Sequence, residues 1–160
     1  MDNTVVTVNP ANDRVIHEFE NMTSEQVTKI VDKSRIAFRE WKGDVRKRSM
    51  ILLRLAEQLR KDKERLARIA SEEMGKPIKE SRSEIEKCAW AVEFYSYNGD
   101  ILLNNESLNS DANKTMITFQ PLGVIGSIMP WNFPYWQALR FAAPSLMADR
   151  KSTRLNSSHE

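Results

Sequence analysis

Apolar residues recur at helical spacing through most of the first hundred positions of the chain. Thr23 and Gln26 have the spacing of a capping box, which predicts the start of a first helix. Residues 75–77, Gly-Lys-Pro, predict a helix stop followed by the start of a fourth helix. Whether the second and third helices are continuous across residues 61–63 stays open. The apolar positions that define the four helices are Val27, Ile30, Val31, Phe38 and Trp41; Leu52, Leu55, Ala56 and Leu59; Leu66, Ile69 and Ala70; Ile85, Cys88, Ala89 and Val92.

Short β-prone runs lie on both sides of this helical region. Residues 5–8 and 15–19 enclose an Asn/Pro/Asp turn, which predicts a β-hairpin. Residues 104–113 are polar and predict a surface connection. Residues 114–120 alternate polar with apolar side chains, so they predict a strand with one face covered.

The most informative segment spans residues 121–134, an apolar run with two glycines that stops at Pro130. Such continuous hydrophobicity is typical of a parallel strand that is buried on both faces. Pro134 then predicts the first turn of a new amphipathic helix, where its missing N–H costs nothing. Asn132 lies in the turn between strand and helix, where open α/β sheets bind their ligands. The pattern therefore predicts an α/β fold with a candidate site at Asn132.

The 121–134 segment resembles the PxGVxGxIxPWNFP motif of the aldehyde dehydrogenase superfamily. The Asn9-Pro10 hairpin and the Glu-Met-Gly-Lys-Pro-Ile turn at residues 73–78 match the family in the same order, so the resemblance covers residues 1–148. It implies a helical segment with a β-hairpin, plus the first strand and helix of an incomplete Rossmann-like cofactor domain. It also implies that residues 114–120 are part of the strand region that joins subunits into dimers or tetramers.

The resemblance assigns roles around the turn. Asn132 matches the oxyanion-hole asparagine, whose amide stabilises the negative charge that builds on an aldehyde oxygen during thiolate attack. A helix cap is an alternative role for Asn132, and both roles can hold together. The cofactor, NAD or NADP, is expected to run past the end of the strand. The residues whose backbone it would touch are Ile128, Met129, Pro130 and Trp131.

The helix after Asn132 carries the expected substrate-binding residues. Phe133, Trp136, Gln137 and Arg140 follow the spacing i, i+3, i+4, i+7 and share one face. The resemblance implies that this face lines the substrate tunnel. Arg140 stands eight residues after Asn132, like the arginine with which succinate-semialdehyde dehydrogenases hold the substrate carboxylate. Alternatively, Arg140 is a surface arginine and the substrate is an uncharged aldehyde.

Composition and charge narrow the function classes. A net charge of +2 gives no reason to expect nucleic acid or an anionic membrane as a partner. No group of His, Cys and carboxylate residues has the spacing of metal ligands, so no metal is expected. The single cysteine, Cys88, falls on the apolar face of the fourth helix, which predicts a structural role. A lone cysteine, without a signal peptide or a long apolar stretch, predicts a cytoplasmic protein.

Residues 149–160 differ from the rest in composition, with one large apolar residue in twelve and no helical or strand period. They look like the translation of a sequencing-library adapter, and the alternative is a disordered polar terminus. We therefore expect residues 1–148 to be a partial N-terminal, cofactor-binding domain followed by a non-native tail.

Two hypotheses about function follow. The first is the N-terminal part of a homo-oligomeric, NAD(P)-dependent aldehyde dehydrogenase that oxidises succinate semialdehyde to succinate. Its catalytic cysteine and glutamate would lie beyond this chain, so the chain itself is expected to be inactive. The second is a non-catalytic helical interaction module over residues 23–104, which explains the helices but neither Asn132 nor the aromatic face.

Overall fold

A computed structural model describes residues 4–148 and the backbone of residues 153–156. The chain begins with the predicted hairpin, in which β1 (Thr4–Asn9) pairs antiparallel with β2 (Arg14–Glu20). Its turn is stabilised by asparagine side chains, since Asn9 and Asn12 accept the N–H groups two residues on at 2.9 and 3.1 Å.

Four helices follow, as the apolar spacing predicts. Their bounds are α1 (Ser24–Trp41), α2 (Val45–Lys61), α3 (Lys63–Met74) and α4 (Ile78–Leu102). The Thr23–Gln26 capping box is confirmed, with reciprocal hydrogen bonds of 3.2 and 2.7 Å. The helix path breaks at Asp62, so the second and third helices are separate. Within the part of the chain that the structure describes, no helix has both the length and the apolar character needed to cross a bilayer.

The predicted helix stop at Gly75 is confirmed. Gly75 adopts a left-handed conformation with φ of 67°, which glycine tolerates best. A Cβ atom there would lie 2.8 Å from Cγ of Pro10 in the hairpin turn. The absence of a side chain therefore allows the hairpin to sit against the junction of α3 and α4.

The core lies where α4 packs against α2, α3 and a fifth helix, α5 (Pro134–Ala148). Its buried members are Leu52, Ala56, Leu59, Ile85, Cys88, Ala89, Val92, Ala143 and Met147. The C-terminal end of α5 is also fixed by polar contacts. Trp41 Nε1 donates to the Leu146 carbonyl at 2.9 Å, and buried Arg48 donates to the Met147 carbonyl at 3.1 Å. Helix α5 is therefore part of the core.

The C-terminal part of the structure contains short antiparallel strands. The predicted strand over residues 114–120 is confirmed as β4 (Thr115–Phe119), which lies between β3 (Glu106–Leu108) and β5 (Thr153–Asn156). The sequence predicted neither neighbour. Pairing needs only backbone groups, and the two edges of β4 are open to it. Residues 149–152 and 157–160 of the predicted tail lie outside the described residues.

The predicted buried strand at the start of the 121–134 segment is not formed. Residues 121–130 are neither helix nor strand, and Leu122, Val124 and Ile125 are exposed. A parallel strand requires hydrogen-bonding neighbours and layers over both faces. All strand pairs among the described residues are antiparallel and lie elsewhere, so this segment has neither form of support.

Candidate active site

A cleft of about 770 Å³ lies between the first turns of α4 and the start of α5. It brings together Asn132 and three of the four residues predicted on the following helix face. Its lining residues are Asn132, Phe133, Trp136 and Gln137, with Lys79, Glu80, Ser83, Glu84 and Lys87 from α4. Because the three predicted residues follow the 3.6-residue period of the helix, they lie on one face and line the cleft together with Asn132.

The remaining predicted residues lie outside the cleft. Arg140 is exposed and does not line it; it lies about 4.5 Å further along α5 than Gln137. Ile128 and Trp131 are also strongly exposed, on the segment that precedes the cleft. Arg140 is therefore not one of the residues that line this cleft, and its role in substrate binding stays a prediction. Helical spacing fixes which residues share a face, but it does not fix where a cleft on that face ends.

Glu84 of α4 holds the start of α5. Its side chain is only 3% exposed, and Oε1 accepts the backbone N–H groups of Tyr135 at 3.0 Å and Trp136 at 2.9 Å. The positive end of the helix dipole favours a carboxylate at this position. The other oxygen, Oε2, pairs with the ammonium of Lys76, which is itself nearly buried. Glu84 thus caps α5 from a neighbouring helix.

This arrangement bears on the two roles considered for Asn132. The first free N–H groups of α5 are taken by Glu84, so Asn132 does not cap the helix through them. Instead, Asn132 Oδ1 accepts the side-chain amide of Gln137 at 3.5 Å. Among the described residues, Nδ2 of Asn132 donates to no protein acceptor. An amide donor is therefore available in the cleft, as oxyanion stabilisation requires.

Gln137 supports Asn132 from the next turn of the helix. Gln137 is 9% exposed, and its Oε1 atom is buried without a hydrogen-bond partner in the part of the chain that the structure describes. Its Nε2 donates to Asn132. An unpaired buried carbonyl has an energetic cost, so a donor from a bound molecule would be favourable here.

Two lysine ammonium groups lie over the aromatic rings that line the cleft. Lys76 Nζ lies 4.6 Å from the centroid of the Phe133 ring, and Lys87 Nζ lies 4.0 Å from that of the Trp136 ring. Both distances fall within the range of cation–π attraction. Sequence reasoning missed these lysines and Glu84. The position of Glu84 on the apolar face of α4, beside Ile85 and one turn before Cys88, is the signal that could have revealed it.

Cys88 has the structural role that the sequence predicts. It is fully buried in the core, and desolvation raises the pKa of its thiol to about 12, with a further contribution from the charge of Glu84. The thiol stays protonated at neutral pH and is closed off from the cleft, so it cannot act as a nucleophile.

Comparison with known proteins gives a consistent result. The profile of the aldehyde dehydrogenase family matches residues 1–150. A Synechocystis protein named "Probable succinate-semialdehyde dehydrogenase [NADP(+)]" is 35% identical over 145 residues, which is 90% of this chain and 32% of that protein. A Mycobacterium avium succinate-semialdehyde dehydrogenase [NADP(+)] is 33% identical over 149 residues, with the same coverage. This chain thus spans about a third of the length of the relatives it matches.

Solved structures resemble this fold closely. The succinic semialdehyde dehydrogenase of Streptococcus pyogenes, solved with NADP+, superposes with a TM-score of 0.86 at 29% identity, over 90% of this chain and 32% of that one. The betaine aldehyde dehydrogenase of Staphylococcus aureus, solved with NAD+, gives a TM-score of 0.84 at 26% identity, over 92% and 30%. The mixed α/β architecture matches the N-terminal part of these structures.

Proposed function

This chain belongs to the aldehyde dehydrogenase family, and we propose that residues 1–148 are the N-terminal segment of an NAD(P)-dependent enzyme that oxidises succinate semialdehyde to succinate. The names of the relatives support this substrate and favour NADP. The nucleophile and the general base would belong to the two thirds of the relatives that this chain does not cover. The chain alone is then inactive, and residues 149–160 are a non-native tail.

The observation that carries the proposal is the free amide of Asn132 in the cleft. When a thiolate attacks the substrate aldehyde, negative charge builds on the carbonyl oxygen, and an N–H from Asn132 Nδ2 would stabilise it. Glu84 fixes the first turn of α5 beside this residue, so little reorganisation is needed during the reaction.

NAD or NADP would supply the hydride acceptor. Ile128 and Trp131 are strongly exposed, so the stretch of Ile128, Met129, Pro130 and Trp131 is accessible to a dinucleotide. These four residues would hold the cofactor through their backbone. The full-length protein would be a cytoplasmic dimer or tetramer, with residues 114–120 in the contact between subunits.

The position of Arg140 favours a second candidate, an aldehyde dehydrogenase for an uncharged aldehyde. Arg140 lies outside the cleft, so it does not hold a carboxylate beside Asn132 in this structure. The alternative of an interaction module over residues 23–104 has less support. Helix α5 directly follows the turn that holds Asn132 and contributes Ala143 and Met147 to the common core, so the helices over residues 23–104 are not a separate unit.

The test is the Asn132→Ala variant of the full-length protein, with succinate semialdehyde and NADP. We expect kcat to fall by about 10²–10³-fold, as for the loss of one oxyanion donor, with a much smaller change in KM. Asn113→Ala, an exposed asparagine away from the cleft, is the matched control. Activity of Asn132→Ala within a few-fold of wild type would refute the catalytic role, and turnover by the 160-residue chain alone would refute its assignment as an inactive segment.

A further inference from the structure

The cleft contains a positive charge to which neither the family motif nor the catalytic proposal gives a role. Lys87 lies on α4, lines the cleft together with Asn132, and holds its ammonium 4.0 Å from the Trp136 ring centroid. None of the ion pairs formed by the described residues includes Lys87. Its charge is therefore available to a bound molecule.

The other charges around the cleft do not cancel that of Lys87. Glu84 is already matched by Lys76 and by two backbone N–H groups. Lys79 and Glu80 are exposed neighbours of opposite sign at the start of α4. Counted together with Lys76, the charged residues around the cleft are three lysines and two glutamates, so one positive charge is in excess, which favours an anionic ligand.

The position of Lys87 relates it to the reacting end of the cleft. It follows Glu84 by three residues, which is about 4.5 Å along the helix axis. Glu84 is bonded to the first turn of α5, which follows directly after Asn132, so α4 with Lys87 and the start of α5 beside Asn132 are fixed to each other. Contact with the Trp136 ring restricts the lysine side chain, which lowers the entropic cost of using it in binding.

We propose that Lys87 determines substrate specificity by binding the carboxylate of a short aldehyde whose carbonyl group lies at Asn132. This inference rests on the proposed aldehyde dehydrogenase function. It assigns to Lys87 the recognition that the sequence motif suggested for Arg140. With this assignment, an acidic substrate can be recognised in the cleft although Arg140 lies outside it.

The experiment compares succinate semialdehyde with butanal, an uncharged aldehyde of the same chain length, in the full-length enzyme. Lys87→Met keeps an unbranched side chain that is only one atom shorter and removes its charge. We expect the ratio of kcat/KM for succinate semialdehyde to that for butanal to fall by about 10- to 100-fold, which corresponds to one hydrogen bond to a charged group. Lys87→Arg should keep this ratio within a few-fold, and so should Lys33→Met, an exposed lysine of α1.

Calorimetry with succinate and cofactor-free enzyme provides a second readout. Lys87→Met should weaken succinate binding by about tenfold or more, whereas Lys33→Met should leave it unchanged. An unchanged substrate ratio with Lys87→Met, or a loss found with Arg140→Leu and not with Lys87→Met, would overturn the inference while the dehydrogenase function stands. If the wild type oxidises neither aldehyde, the proposed function fails, and succinate binding alone then decides the role of Lys87.

Discussion

Glu84 offers the sharpest test of the physical reasoning, since three separate groups depend on one buried carboxylate. Glu84→Ala removes two charge-assisted hydrogen bonds to the N–H groups of Tyr135 and Trp136. It also leaves the ammonium of Lys76, whose side chain is 11% exposed, without its partner. Breaking a buried ion pair from one side typically costs about 3–5 kcal/mol. We expect a loss in the free energy of unfolding of that size.

Urea unfolding of the chain, followed by circular dichroism, measures this loss. Glu84→Gln keeps an oxygen for the two N–H groups but removes the charge, so it should cost less than Glu84→Ala. Glu57→Ala, an exposed glutamate in the second half of α2, should change stability by no more than about 0.5 kcal/mol. A cost below about 1 kcal/mol for Glu84→Ala, with an unchanged denaturant slope, would show that α5 does not depend on this carboxylate.

Two further predictions concern the core. Cys88 should resist iodoacetamide at neutral pH in the folded chain and react once urea unfolds it. The pKa of the Cys88 thiol is about 12 in the folded chain and about 8.5 in the unfolded chain. The stability that the buried, protonated thiol contributes is therefore fully present below about pH 8.5 and is lost as the pH rises from about 8.5 towards about 12. Gly99→Ala should lower the melting temperature, because the new Cβ atom would lie 2.6 Å from Cγ of buried Met147. Overpacking of this kind costs about 1–3 kcal/mol, which exceeds the gain of up to about 1 kcal/mol from the higher helix propensity of alanine. Gly43→Ala, in a turn with open space around the new methyl group, is the control without a clash, and equal melting temperatures for the two variants would contradict the packing argument.

The features that sequence predicted well depend on residues close together in the chain. The capping box at Thr23 joins residues three apart, and the left-handed stop at Gly75 is a property of one residue. The hairpin turn likewise uses its own asparagines. Local features of this kind need no partner from a distant part of the chain, so the residues that form them can be recognised in the sequence.

The contacts that sequence reasoning missed join distant parts of the chain. Glu84 meets the N–H groups of α5 across about fifty positions, and nothing in its immediate neighbours identifies that partner. The cleft has the same origin, because its extent depends on where α4 covers α5. Periodicity placed Arg140 on the same face as Gln137, yet only the packing shows that Arg140 lies outside the cleft.

Residues 121–130 and the helix α5 that follows them illustrate both situations, and this explains why only the helix forms. Helix α5 satisfies its own backbone, is capped by Glu84 and is held at its far end by Arg48, so it forms with the elements present. A parallel strand has no such internal bonds. Its apolar sequence is suited to burial within a sheet, which requires neighbouring strands and layers over both faces. Asn132 is therefore supported from the helix side, whereas the proposed cofactor-contact residues depend on strand neighbours that the described structure does not supply.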